Sequence, residues 1–188
     1  MSDGQLRNAI IITTILFFAS LAAGWVGTAH SPAMGEDLMK LFEKEIAGQM
    51  NENNPYEMAV TLFTNNLEAC ILLFLGGATC GVLTIFILSL NGVVIGAIME
   101  IVRKDHSLAF VVAAILPHGI FEIPAFILAG AFGLLLTRSL IAEWYGGGDM
   151  AADAGRCARR FIMYVLPLIA IAAFVEAFIT PVIIHLVA

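Results

Sequence analysis

The stretch Leu116–Gly133, LPHGIFEIPAFILAGAFG, is apolar except for one histidine and one glutamate. His118 and Glu122 are four residues apart, so in a helix their side chains project from the same face. Pro117 and Pro124 bracket the pair and predict kinks in that helix. An ionisable pair at membrane depth costs free energy unless the two groups serve each other or a bound ion. The stretch therefore predicts a membrane-spanning helix with a polar centre inside it.

The rest of the chain has the composition of a membrane protein. Of its 188 residues, 60% are hydrophobic and only 13% are charged, whereas a soluble domain carries about 25% charged residues. Four long apolar runs cover residues 8–35, 69–99, 107–137 and 161–188, with Glu122 and Glu176 as the only charged residues in them. Each run is long enough to cross a hydrocarbon core of roughly 30 Å as a helix. These runs predict an all-α, polytopic transmembrane bundle that forms a single domain over residues 1–188. The net charge of −6 argues against nucleic acid as a partner. The apolar runs indicate the lipid bilayer as the surrounding medium.

We predict five transmembrane helices, of which the central ones are kinked or broken, and one amphipathic helix outside the membrane. The five helices are placed at residues 8–28, 55–75, 78–102, 108–136 and 161–186. The amphipathic insert covers residues 35–56, where apolar residues recur at helical spacing among charged ones, and it is expected to cap the bundle. Residues 137–160 are expected to form a loop.

The boundary between the second and third helices lies in a region rich in glycine, and alternatives exist for it. Gly77-x-x-x-Gly81 and Gly92-x-x-x-Gly96 place small residues on single helix faces, which permits close helix contact in lipid and predicts a dimer. Asn91, directly before Gly92, indicates an alternative in which the third helix is broken and lines a cavity. A re-entrant pair of helices is the other alternative for this region.

Lysine and arginine near the helix ends predict the orientation. One side holds Arg7, Arg138, Arg156, Arg159 and Arg160, and the other holds Lys40, Lys44, Arg103 and Lys104. The slight excess on the first side predicts a multi-pass protein of the cell membrane with a cytoplasmic N-terminus.

A buried polar cluster is expected around the histidine and glutamate of the fourth helix. Its predicted members are Asn66, Asn91, His118, Glu122 and Glu176. One hypothesis is a metal site at His118 and Glu122, completed by ligands from other helices. A second is a path for protons or cations. A third is a hydrogen-bonded cluster that only locks the helices together.

No catalytic residues are predicted. The sequence lacks GxSxG, HExxH, a phosphate-binding glycine loop and a dinucleotide fingerprint. Its three cysteines, Cys70, Cys80 and Cys157, show no metal-binding spacing and are expected to be packing residues. Apart from a metal ion at His118 and Glu122, no cofactor is expected.

Several segments together resemble the stage II sporulation protein M family. They are Asn65-Asn66 followed by Gly76-Gly77, Leu90-Asn91-Gly92 with Gly96, the run from Leu116 to Ala125, and Glu176-Ala177-Phe178-Ile179-Thr180-Pro181. The proline–histidine–glycine–x–x–glutamate run is the most specific of these, and the segments cover most of the chain from Thr61 onward.

The resemblance implies a multi-helix integral membrane protein, similar to a scaffold that gathers peptidoglycan-degrading enzymes at the septum of spore-forming bacteria. We therefore predict a membrane scaffold, or a component of an envelope-associated or transport complex, whose partners are other membrane or envelope proteins. A channel or transporter that uses the cluster as a proton or cation path is the alternative. A metal-dependent intramembrane enzyme is the second alternative.

Overall fold

The computed structural model describes residues 2–31 and 54–187. Its α-helices are α1 Asp3–His30, α2 Pro55–Leu75, α3 Val82–Asp105, α4 Leu108–Trp144, α5 Met150–Arg160, α6 Leu166–Phe174 and α7 Thr180–Val187. Two π-helical segments, Phe161–Val165 and Val175–Ile179, join α5, α6 and α7 into one long helix. The described residues thus contain five helices long and apolar enough to cross a membrane, and they include no strand. The all-α, five-helix bundle predicted from the sequence is confirmed.

Helix α4 lies at the centre of the bundle. It packs against α1, α2, α3 and all three parts of the last long helix. Its buried residues include Ala125, Ala129, Gly130 and Gly133, whose small side chains let the surrounding backbones come close. Both internal prolines lie within this one helix. The stretch that carries the predicted polar centre is therefore also the packing centre of the protein.

Helices α1 and α3 meet through glycines. A Cβ atom added to Gly24 would strike the carbonyl oxygen of Val93, and one added to Gly96 would strike that of Leu21. Gly92 also lies close to the first helix, because a Cβ atom added to it would be 2.7 Å from the carbonyl oxygen of Phe17. The predicted close packing at Gly92 and Gly96 thus lies within the chain. A dimer needs a different surface.

The turn between α2 and α3 corrects the prediction for Gly77 and Gly81. These residues do not share a helix face, because Gly76–Thr79 is a 3₁₀ turn and Gly81 adopts a left-handed backbone with φ of 81°. Gly77 still permits close packing, since an added Cβ would strike the carbonyl of Gly133. The hydroxyl of Thr137 donates a hydrogen bond of 2.9 Å to the Gly77 carbonyl and ties this turn to α4.

The structure differs from two further predictions and describes almost none of the residues of a third. The third helix is not broken at Asn91, since α3 is continuous through it and the Asn91 amide donates to the Ile87 carbonyl of its own helix at 2.9 Å. Residues 137–160 are mostly helical, because α4 continues to Trp144 and α5 begins at Met150. Nearly all of the amphipathic insert, residues 35–56, lies outside the described residues.

An ion pair within α3, between buried Glu100 and partly exposed Arg103, lies against the end of α1. The Glu100 side chain is 1% exposed and accepts two hydrogen bonds from Arg103, at 2.7 and 2.8 Å. The guanidinium of Arg103 lies 6.0 Å from the ring centre of Trp25 in α1, in cation–π geometry. Lys104 donates to the backbone carbonyl of Thr28, also in α1, at 3.3 Å. Arg103 and Lys104 thus extend the contact between α1 and α3 beyond the glycines.

Removing one partner of this pair is expected to destabilise the protein more than removing both. Arg103→Ala leaves the carboxylate of Glu100 buried without its partner, whereas Glu100→Gln with Arg103→Ala leaves a neutral amide. Thermal unfolding in detergent should therefore give the lowest midpoint for the single Arg103→Ala variant. A double variant that is less stable than Arg103→Ala would contradict the pairing.

Candidate functional site

A cavity of about 280 Å³ lies among α2, α3, α4 and the last long helix. It occupies the half of the bundle nearest the α3–α4 connection, since Val102 is in the last turn of α3. The lining residues are Leu62, Asn65, Asn66, Ile95, Ile98, Val102, Ala114, Ile115, His118, Gly119, Glu122, Ile123 and Glu176. A buried water needs only about 10–15 Å³, so the cavity has room for a bound ion with water molecules.

His118 and Glu122 line this cavity together, as their spacing on one face of α4 predicts. Their side chains are 14% and 15% exposed, and Nε2 of the histidine lies 3.9 Å from Oε2 of the glutamate. That distance is too long for a hydrogen bond. The other ring nitrogen, Nδ1, is buried and has no hydrogen-bond partner among the described residues. The two side chains are therefore close, but no hydrogen bond joins them.

Glu176 reaches the same cavity from the π-helical segment Val175–Ile179. The backbone N–H of Thr180 donates to the Val175 carbonyl, five residues back, as a π turn requires. The Thr180 hydroxyl also donates to that carbonyl, at 3.2 Å. Single π turns within α-helices occur often at functional sites, where the wider turn re-aims a side chain. Here the turn holds the residue that completes the cluster.

A proline follows each of the two π segments. Pro167 follows Leu166 at the end of the first segment, and Pro181 follows Thr180 at the end of the second. A proline inside a helix has no N–H to donate and its ring clashes with the carbonyl four residues back. In both places, the residue before the proline donates its N–H to the carbonyl five residues back, which relieves the crowding by widening the turn.

The three ionisable groups form a set that can hold a cation. One ligand atom from each of His118, Glu122 and Glu176 lies within 4.8 Å of the others. Within residues 2–31 and 54–187, no lysine or arginine lines the cavity. A cation is the guest that such a set of one imidazole and two carboxylates can bind.

The structure brings together four of the five residues predicted for the polar cluster. Asn66, His118, Glu122 and Glu176 line the cavity, whereas Asn91 does not. Asn91 shares a face of α3 with the lining residue Ile95 but lies one turn before it, and its amide bonds the Ile87 carbonyl of its own helix. Glu68, two residues after Asn66 in α2, is exposed.

Sequence reasoning missed two polar residues with defined positions. Asn65 lines the cavity beside Asn66, and the Asn-Asn pair was the available signal. Glu100 is buried at the end of an apolar run, and Arg103 three residues later was the signal that an intrahelical ion pair could form.

The fold defines a class: a multi-pass helical membrane protein, here with a cavity among its helices that contains two carboxylates, one imidazole and two amides. The family model for stage II sporulation protein M matches residues 13–181, and the chain belongs to that family.

Two archaeal relatives are similar over much of the chain, both from Methanocaldococcus jannaschii. "Uncharacterized protein MJ0793" is 27% identical over 179 residues, which is 94% of this chain and 96% of the relative. "Uncharacterized protein MJ0706" is 26% identical over 141 residues, which is 72% of this chain and 62% of that longer relative. No solved structure matches.

Proposed function

We propose that the protein is a membrane-embedded component of an envelope-associated or transport complex, and that its polar cavity binds a cation. The observation that supports this most directly is the convergence of His118, Glu122 and Glu176 on one cavity from two helices. In a purely structural cluster the groups would satisfy one another. Here the histidine–glutamate distance is 3.9 Å and an imidazole nitrogen has no partner among the described residues.

The packing beyond the cavity supports a component of a complex rather than an autonomous channel. One turn past Glu122, α4 continues with Ala125 and Phe126, and both are fully buried. Phe132 and Ile169 are also buried in this apolar core. A cation that enters the cavity therefore meets closely packed apolar side chains, where burying an unpaired charge is costly. Passage through the chain requires a partner or a change of conformation.

A proton or cation path remains the second candidate, supported by the two carboxylates at membrane depth. In either case, arginines at the α4–α5 end favour a cytoplasmic N-terminus in the cell membrane, which places the cavity in the outer half. A homodimer is compatible with both candidates, although the glycine face of α3 is used within the chain.

Native mass spectrometry of the chain extracted from its own membrane tests the proposed function. We expect assemblies whose masses are not whole multiples of the 20.1 kDa chain mass, because they also contain other membrane or envelope proteins. Exclusive recovery of monomers or homo-oligomers would contradict a role in a complex.

A flux assay separates the two candidates. The purified chain alone, reconstituted in liposomes, is expected to pass protons and metal cations no faster than protein-free liposomes. Flux that is abolished by Glu122→Gln and Glu176→Gln, but not by a change at the exposed Glu68, would establish the path instead.

A further inference from the structure

We infer that His118, Glu122 and Glu176 bind a divalent first-row transition metal ion of the Zn²⁺ or Mn²⁺ type. The inference rests on the proposal that the cavity binds a cation, and it specifies which class of cation binds. The three residues come from α4 and from the π-helical segment before α7, so the site joins the central helix to the last one.

The spacing of the donor atoms suits one ion. Zinc bonds to imidazole nitrogen and carboxylate oxygen are about 2.0–2.2 Å long, so ligand atoms around a single ion lie about 3–3.5 Å apart. The three donor atoms all lie within 4.8 Å of one another. Glutamate has three rotatable side-chain bonds, so rotation of Glu122 and Glu176 can shorten these distances.

The charge of the cavity suits a divalent ion. Two ionised carboxylates and a neutral imidazole carry a charge of −2, and none of the described residues that line the cavity is a lysine or arginine. One divalent cation makes the set neutral, whereas a monovalent ion leaves a net buried charge, which is costly at membrane depth. Protonation of both carboxylates also gives neutrality, and this is the competing outcome that the experiment must separate.

The types of donor select the class of metal. Calcium and magnesium sites use oxygen ligands almost entirely, and copper(I) prefers sulfur. One imidazole with carboxylates suits zinc, iron(II) and manganese(II). Nδ1 of His118 has no hydrogen-bond partner among the described residues and offers a free ligand atom, and Asn66 offers an amide oxygen in the same cavity. Water can occupy the remaining coordination positions.

Metal loading of the full-length protein in nanodiscs tests the site. Protein stripped with a chelator is reloaded with Zn²⁺ or Mn²⁺ and analysed by mass spectrometry of the metal and by titration. We expect about one ion per chain for the wild type, since three protein ligands plus water is an ordinary zinc set. Glu122→Gln, Glu176→Gln and His118→Gln should each weaken binding by at least about tenfold, because even outer-shell changes cost about 10–100-fold.

Glu68→Gln is the matched control, since it removes an exposed carboxylate from α2 without touching the cavity. Zinc-edge absorption spectroscopy of the wild type should show a nitrogen and oxygen shell that includes imidazole, and this readout does not depend on whether the variants fold. Metal content well below one ion per chain in the wild type, or binding unchanged in all three variants, would overturn the site. Neither result affects the masses of the native assemblies, so failure of the metal site is distinguishable from failure of the proposed role in a complex.

Discussion

Gly96→Ala is expected to destabilise the protein by about 1–3 kcal/mol, the usual cost of overpacking a close contact. The added methyl group would strike the backbone carbonyl of Leu21 in α1, and a backbone cannot rotate away as a side chain can. Gly24→Ala should cost a similar amount, because its Cβ would strike the carbonyl of Val93 in α3. Unfolding of the purified protein in mixed micelles, followed by far-UV circular dichroism, measures both.

The effect is large because lipid supplies no hydrophobic driving force between helices. Van der Waals contact and close approach of backbones are what hold membrane helices together, and α1 has its closest contacts with α3. Since the two glycines lie in the same contact, the double variant should cost less than the sum of the single variants. A first substitution that separates the helices leaves the second with less to disturb.

Gly155→Ala is the matched control for these variants. Gly155 lies in α5, and an added Cβ meets no atom within 4 Å. Alanine should therefore stabilise the helix by about 0.5–1 kcal/mol through its better helix propensity. If Gly96→Ala proved as stable as Gly155→Ala, the contact between α1 and α3 would not be as close as described.

The helical class and the number of spans follow from the sequence because the bilayer constrains both. The ends of the helices do not follow so directly. A prediction based on membrane thickness ended the fourth helix at residue 136, yet α4 has 37 residues and a length of about 55 Å. Arg138 and Glu143 are expected to lie outside the hydrocarbon, but arginine and glutamate both favour helix formation. The helix therefore continues beyond the membrane.

The polar cluster was predictable only where one helix decides the geometry. The spacing of His118 and Glu122 places them on one face without any knowledge of the fold. The inclusion of Glu176 depends on how the last long helix is rotated about its axis, and the exclusion of Asn91 depends on where the cavity ends along α3. Hydrophobic runs specify neither. The π turn that carries Glu176 is likewise invisible to periodicity, although Pro181 marks its place.

Pro181→Ala is expected to weaken metal binding by about tenfold or more while the protein stays folded. Alanine restores the N–H at position 181 and removes the ring that crowds the carbonyl of Ala177. Residues 175–179 can then return to ordinary α-helical hydrogen bonding, which turns Glu176 relative to α4 by up to roughly 100°, the angle per residue of an α-helix. The loss of affinity should approach that of Glu176→Gln, measured by Zn²⁺ titration in nanodiscs.

Pro167→Ala provides the control, because the chain repeats the same arrangement away from the cavity. Pro167 follows the π-helical segment Phe161–Val165, and no residue of that segment lines the cavity. A general effect of removing a proline from the last long helix would change both variants alike. If the π turn before Pro181 positions Glu176, only Pro181→Ala loses affinity, and equal affinities in the two variants would show that the turn has no part in the site.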